Sequence, residues 1–274
     1  MSRHDFSKSP LSPESISEFL DFARTIATEA GKGIADRFNS RSFSVEAKDD
    51  GSPVTEADQE AERYLRDCIA REFPEHGIIG EEFGAKGTNQ EFIWVLDPID
   101  GTKSFVHGVP LFGTLIGLLY RKRPVIGLIH QPVLGRMATG DNRHAWLNGE
   151  RIRVRGDRPF SEATLLMTDP SDPLLLERGK SYTDLIRGAG VVRSWGDCFG
   201  YLALVMGQAD IMIDPILNPW DMLPLLPVLR GAGAIVTDCN GGPAEDGTSL
   251  LASTSRGLHN RVLRGLEDFP MVAR

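Results

Sequence analysis

The chain of 274 residues has little cysteine, no long apolar run and no excess of positive charge. Its three cysteines, Cys68, Cys198 and Cys239, are odd in number, widely spaced and form no CxxC pair. That excludes a disulfide framework and argues against a structural zinc site. The most apolar stretch, residues 111–120, has about half the length that a bilayer crossing needs, so no membrane partner is expected. The opening MSRHDFSKSPLSPES is polar and reads as no secretory signal, and a cytoplasmic protein is expected. Lys plus Arg is 30 against 38 Asp plus Glu, a formal charge of −8. An acidic balance argues against a duplex nucleic-acid binder that works by neutralising phosphates. It does not exclude small anions, because bound metal ions can supply positive charge locally. There is no internal repeat and no low-complexity segment.

What is present is ordinary globular material, 41% hydrophobic and 25% charged. A chain of this size buries roughly three quarters of its unfolded surface and needs no staples. Residues 1–11 read as a tail. A helix is expected from Ser12 and Pro13, with Ser15 and Glu18 spaced as a capping box. Ile16, Phe19, Leu20, Ala23, Ile26, Ala27, Ala30 and Ile34 mark its buried face. Residues 43–47 read as a strand, 49–53 as a turn and 55–73 as a second helix stopped by Pro74. Short strands follow at 78–79, 92–96, 137–139 and 145–147, and a hairpin spans 111–120 and 124–130. This half suggests an α+β layer with antiparallel pairing. After about residue 155, strands at 165–167, 191–193, 209–213 and 234–238 alternate with helices at 174–188, 198–206 and 220–232. That alternation is an α/β pattern. Two parts are expected, 1–155 and 156–274.

The strongest chemical signal lies at residues 94–105. An apolar strand delivers Asp97, Pro98 is expected to stop it, and Asp100, Gly101 and Thr102 follow. Two carboxylates on one tight turn suit hard divalent cations, which prefer oxygen ligands. The backbone N–H groups after Asp100 form a natural phosphate seat. By themselves the residues also fit an ordinary Asp-Pro turn. Glu81 and Glu82 follow another apolar run, Thr55 and Asp58 open the second helix, and Asp221 follows Trp220 at a third helix start. Each alone reads as a loop or a helix cap. Together they supply the scattered carboxylates that a multi-metal site needs.

Residues 94–105, the Gly80-Glu81-Glu82 element and Trp220-Asp221 resemble the three metal-site motifs of the inositol monophosphatase family, in order and spacing, and the match runs from about residue 15 to 265. The resemblance implies a layered αβαβα sandwich and a Mg²⁺-dependent phosphomonoesterase, with two or three ions per site and Mn²⁺ as a possible substitute. Carried over, Glu81, Asp97 and the Ile99 carbonyl bind the first ion, and Asp97, Asp100 and Asp221 the second. A weaker third ion sits near Glu81. The Gly101 and Thr102 N–H groups hold the phosphate. Thr102 and Asp58, with Glu81, are implied as catalytic, because a threonine relays a proton only when a carboxylate accepts from its hydroxyl. A homodimer and Li⁺ sensitivity are implied too. Two departures stand out: Met222-Leu223-Pro224 where many members carry small residues, and Gly233-Ala234 in place of a glycine pair.

Within the family, residues 98–105 and 108–116, the Gly127-Leu-Ile-His-Gln-Pro element, residues 196–201 and the Leu-Pro that follows Asp221 look most like the histidinol-phosphate phosphatase branch. Such a substrate carries an ammonium and an imidazole, so its site should offer carboxylates beyond the metal ligands. Asp197 and Asp214 are the candidates, with a helix cap and a strand end as their structural alternatives. An inositol or sugar phosphate could use the same acids as hydroxyl acceptors. A regulatory member that binds RNA or protein is the alternative of another class, and a basic patch at 121–123 and 151–158 would favour it.

Overall fold

A computed structural model of the chain describes residues 11–47 and 53–266. The tail and the turn expected at 1–11 and 49–53 lie wholly or mainly outside them.

Helix α1 (Pro13–Ser40) is capped by Ser12, whose hydroxyl accepts from the Ser15 N–H at 3.2 Å. The cap is therefore one turn earlier than the Ser15–Glu18 spacing suggested, and Pro13 takes the first turn, where its missing N–H costs nothing. All eight residues expected on its buried face are buried. Strands β1 (Val45–Ala47) and β2 (Pro53–Thr55) form a small antiparallel pair, and α2 (Glu56–Glu72) follows directly.

Eight strands then build one sheet: β3 (Gly77–Gly80), β4 (Gly84–Lys86), β5 (Phe92–Asp100), β6 (Gly113–Tyr120), β7 (Arg123–Gln131), β8 (Arg136–Gly140), β9 (Ala145–Leu147) and β10 (Glu150–Ile152). Their order is β10-β9-β8-β7-β6-β5-β3-β4, antiparallel except for β3 beside β5. The expected β6–β7 hairpin turns on Arg121 and Lys122, with φ of 49° and 64°. Two such residues give the turn a twist that matches the strands. Short α3 (Thr102–His107) lies between β5 and β6.

The second sheet has the order β12-β11-β13-β15-β14. Its strands are β11 (Thr164–Met167), β12 (Val191–Arg193), β13 (Ile211–Asp214), β14 (Ile235–Thr237) and β15 (Leu250–Ser253). The first three are parallel, and β15 runs antiparallel to β13 and β14. Its helices are α4 (Pro173–Leu176), α5 (Lys180–Gly188), α6 (Asp197–Val205), α7 (Pro219–Met222), α8 (Leu225–Gly231) and α9 (Arg256–Gly265). Two helices expected as single are broken. Gly179, at φ 56°, separates α4 from α5, and Pro224 lies between α7 and α8.

The layers follow from the period of two along each strand. Trp94, Leu96, Ile116, Leu118, Ile126 and Leu128 of the large sheet pack on α1 and α2. Its opposite face offers Leu115 and Ile129 to α6 and α8, which also cover Leu166, Met212, Leu250 and Ala252 of the small sheet. The alternate residues Leu165, Met167, Ile211, Ile213 and Leu251 face α5 and α9. The result is the expected αβαβα sandwich. The bulky Pro224 and Pro227 are accommodated because the strands beneath them carry glycine at Gly117, Gly127 and Gly140. A Cβ on Gly127 would fall 1.9 Å from the Pro224 carbonyl oxygen, and one on Gly140 would fall 2.4 Å from that of Pro227.

Candidate metal and phosphate site

In a regular strand, residues three apart face opposite sides. Asp97 and Asp100 line one cavity all the same, because β5 shifts register between them: Asp97 pairs with Leu115 and Asp100 with Gly113. Pro98 does not end the strand. It occupies the irregular step, where no ladder hydrogen bond is demanded of it. Asp221 reaches the same place from α7, where it also caps the helix by accepting the Asn218 N–H at 2.8 Å. One oxygen from each of Asp97, Asp100 and Asp221 lies within 4.8 Å of the others.

The cavity is about 400 Å³, and Glu81, Ile99, Gly101 and Thr102 complete its expected lining. Asp97 is 1% exposed, and its Oδ1 has no hydrogen-bond partner among the described residues. Burial pushes its carboxyl well above the usual range, and the charges of Glu81, Asp100 and Asp221 push it further. Burial, then Asp197 and Asp221, do the same to Asp100. Asp221 is pushed up to about 7, chiefly by burial. An all-oxygen donor set, a buried unsatisfied oxygen and mutual repulsion together fit hard divalent cations.

Gly101 turns the chain at φ 89° into α3, and a Cβ there would lie 2.8 Å from the Leu111 carbonyl oxygen and 3.1 Å from Asp197 Oδ2. Only glycine tolerates both the conformation and the approach. The Thr102 hydroxyl donates to the Ile99 carbonyl at 2.9 Å and stands 3.5 Å from Asp58 Oδ1. Asp58 is fully buried, and its Oδ2 accepts the Thr55 N–H at 2.8 Å and the Thr55 hydroxyl at 2.5 Å. The helix cap and the Thr102 partner are thus one residue.

The structure separates the two substrate candidates. Asp197 opens α6 at φ 51°, lines the cavity and donates its N–H to the Thr168 hydroxyl at 2.8 Å. Burial raises its carboxyl to about 6, and Lys103 opposes the shift. Asp214 is not among the lining residues. It is 2% exposed at the end of β13, and its Oδ1 accepts the Thr168 N–H at 3.3 Å. The buried Tyr201 hydroxyl lies beside this carboxyl, and it and Thr168 oppose part of the rise that burial imposes. Burial pushes the Asp214 carboxyl from 3.8 up to about 8.

Between those two values the folded chain holds a proton that the unfolded chain does not, so Asp214 makes stability fall as pH rises from about 4 to about 8. The slope is at most about 1.4 kcal/mol per pH unit for one group. Melting curves at pH 5 and pH 8 should show a smaller loss for Asp214→Asn than for the unaltered chain. Equal losses would contradict a proton held at Asp214.

Sequence reasoning did not single out Lys103, Thr168, Ser194 or Asn218, which also line the cavity. Lys103 follows Thr102 directly. Thr168 follows the parallel strand β11, and strand ends in open parallel sheets are the usual place for ligands.

Among the described residues no helix is long and apolar enough to cross a membrane. Comparison with known proteins agrees with the fold. The chain is 38% identical over 274 residues to a bifunctional phosphatase, IMPL2, of Arabidopsis thaliana, with 95% of this chain and 78% of that protein covered. It is 36% identical to a histidinol-phosphatase of Chlorobaculum parvum, covering 86% and 92%. The solved structure of an IMPase from Thermotoga maritima superposes with a TM-score of 0.83 at 28% identity, covering 92% and 98%. A family model described as the inositol monophosphatase family matches residues 15–269, which include every carboxylate of the site, and the chain belongs to that family of phosphatases.

Proposed function

We propose that the chain is a Mg²⁺-dependent phosphomonoesterase that hydrolyses L-histidinol phosphate to L-histidinol and phosphate. The observation that carries the metal-dependent reading is the Asp97, Asp100 and Asp221 cluster, with its unsatisfied Asp97 oxygen, beside the Gly101–Thr102 turn. Enzymes of this family are metal-dependent, usually on Mg²⁺. Glu81, Asp97 and the Ile99 carbonyl would hold one ion, Asp97, Asp100 and Asp221 a second, and a weaker third would sit near Glu81, with Mn²⁺ as a substitute. Bound there, the ions supply charge neutralisation for the phosphate dianion and a lower pKa for water.

The chain's own residues do the rest. The N–H groups of Gly101 and Thr102 would hold phosphate oxygens. The Thr102 hydroxyl, turned from the Ile99 carbonyl to Asp58 Oδ1, gives its proton to that carboxylate and offers a lone pair to the attacking water. Thr55 holds Asp58 in place for this exchange through its two contacts to Oδ2. Glu81, which lines the cavity with Asp97, would complete the residues around the water.

The substrate reading is supported by Asp197, a cavity carboxylate beyond the cation ligands that suits an ammonium, and by the named histidinol-phosphatase relative. An inositol phosphate is the second reading, supported by the Thermotoga neighbour, because Asp197 could equally accept from a polyol hydroxyl. The regulatory reading loses support at its basic patches. Arg155 and Arg158 fold onto the buried Asp210, and Arg121 pairs with Glu91.

Phosphate release from L-histidinol phosphate and from inositol 1-phosphate, at equal low concentration with Mg²⁺, tests the reading. A preference of about 100-fold for the former, roughly 2.7 kcal/mol in the transition state, is expected. Comparable rates would overturn the histidinol assignment. Asp197→Asn should raise the Michaelis constant for histidinol phosphate about tenfold and leave that for an aryl phosphate within about twofold, since a hydrogen bond to a charged group contributes about 1.5–3 kcal/mol. Equal effects on both would place Asp197 outside ammonium recognition.

A further inference from the structure

We propose that Glu62 is the positioning residue for Glu81, fixing that carboxylate's reach into the cavity from one face of α2. The proposal rests on reading Glu81 as a cation ligand.

Glu62 is 0% exposed. A buried carboxylate needs donors, and Glu62 has three. Its Oε1 accepts from Arg66 Nε at 2.7 Å and from the Phe83 N–H at 3.2 Å, and its Oε2 accepts from the Glu82 N–H at 2.8 Å. Arg66 then donates from Nη2 to the Gly84 carbonyl. The two side chains, one helical turn apart, hold the backbone of residues 82–84. On its other side Glu81 donates its N–H to the Leu96 carbonyl at 3.2 Å, one residue before Asp97. Glu81 is thus suspended between an anchor on β5 and an anchor on α2.

Gly80 records how close the approach is. A Cβ there would lie 2.1 Å from Glu62 Oε1 and 2.8 Å from Arg66 Nη2. Asp58, Glu62 and Arg66 recur every four residues and so share one face of α2. The first faces Thr102, and the other two grip the turn after Glu81. One rigid helix therefore fixes the Thr102 partner and Glu81 relative to each other. Stability alone is a weak reason for such a pair, because an apolar replacement of a buried ion pair is often neutral or stabilising.

The test is Mg²⁺ binding to the chelated full-length protein by titration calorimetry, with melting temperature and aryl phosphate kinetics measured alongside. Partners that orient metal ligands typically change metal affinity by 10–100-fold. Glu62→Gln should weaken Mg²⁺ binding about 10–100-fold. It should leave the Michaelis constant for the aryl phosphate at saturating Mg²⁺ within about twofold. Gly80→Ala, which keeps both charges and displaces the Glu62 carboxylate, should weaken Mg²⁺ in the same way. It carries the test if Glu62→Gln does not fold. Lower melting temperatures with unchanged Mg²⁺ affinity would overturn the proposal. Glu81→Gln separates the two readings. If it binds Mg²⁺ as the unaltered chain does, the cation-ligand reading of Glu81 fails. If it binds weakly while Glu62→Gln binds normally, only the positioning role fails.

Discussion

Asp97→Asn is expected to lower phosphate release by more than about 100-fold even in saturating Mg²⁺, beyond the 10–100-fold that loss of an outer partner costs. Asp97 is the residue that Glu81, Asp100 and Asp221 all crowd. It is also the one whose Oδ1 is left without a partner. An amide there removes a charge and halves the oxygens available to two proposed ions. The same change carries a second, opposite signature. Without metal, four neighbouring carboxylates repel one another in a buried place, and removing one charge relieves that repulsion. Asp97→Asn without Mg²⁺ should therefore melt at or above the temperature of the unaltered chain. Added Mg²⁺ should stabilise only the unaltered chain, by about 2.7 kcal/mol at a hundred times the dissociation constant. Loss of turnover with lower metal-free stability and an intact Mg²⁺ shift would mean that Asp97 supports the fold instead.

Thr102→Ala has the next largest expected effect. A positioned proton acceptor contributes about 10²–10⁴-fold in rate, and the variant should lose turnover within that range. Its backbone N–H is unchanged, so phosphate should still seat. No cluster carboxylate is touched, so Mg²⁺ affinity should stay within about twofold. Thr102→Ser should recover most of the activity, because it restores the hydroxyl between the Ile99 carbonyl and Asp58. The measurement is kcat with calorimetric Mg²⁺ affinity on the same preparations. Unchanged kcat would remove the hydroxyl from the proton path. A matching loss of Mg²⁺ affinity would recast it as support for the Ile99 carbonyl.

Much of this arrangement was legible in the sequence. The buried face of α1 followed from its spacing, and the β6–β7 hairpin from its charged turn. The residues from Asp97 to Thr102 declared themselves because two acids, a glycine and a hydroxyl sit within six positions. What stayed hidden depends on distant contacts. The register shift that swings Asp97 and Asp100 to one side is set by pairing with β6, and local composition carries no sign of it. Glu62 lies in a charged helical stretch, and only the distant 82–84 turn that folds over it shows its place. Strand β15 closes the second sheet by pairing with β13 and β14, helix α9 packs against that sheet, and neither was anticipated. Asp214 reads like a strand-end ligand, whereas the sheet carries it behind Thr168.

The most direct test of a metal-dependent phosphatase centred on these carboxylates is one titration. Chelator-treated protein receives Mg²⁺ stepwise, with heat of binding and phosphate release from an aryl phosphate followed in parallel. Release should be absent at the start and rise with bound Mg²⁺, and neither signal should develop in Asp97→Asn. Full release before any Mg²⁺ is added, with chelator still present, would contradict the account.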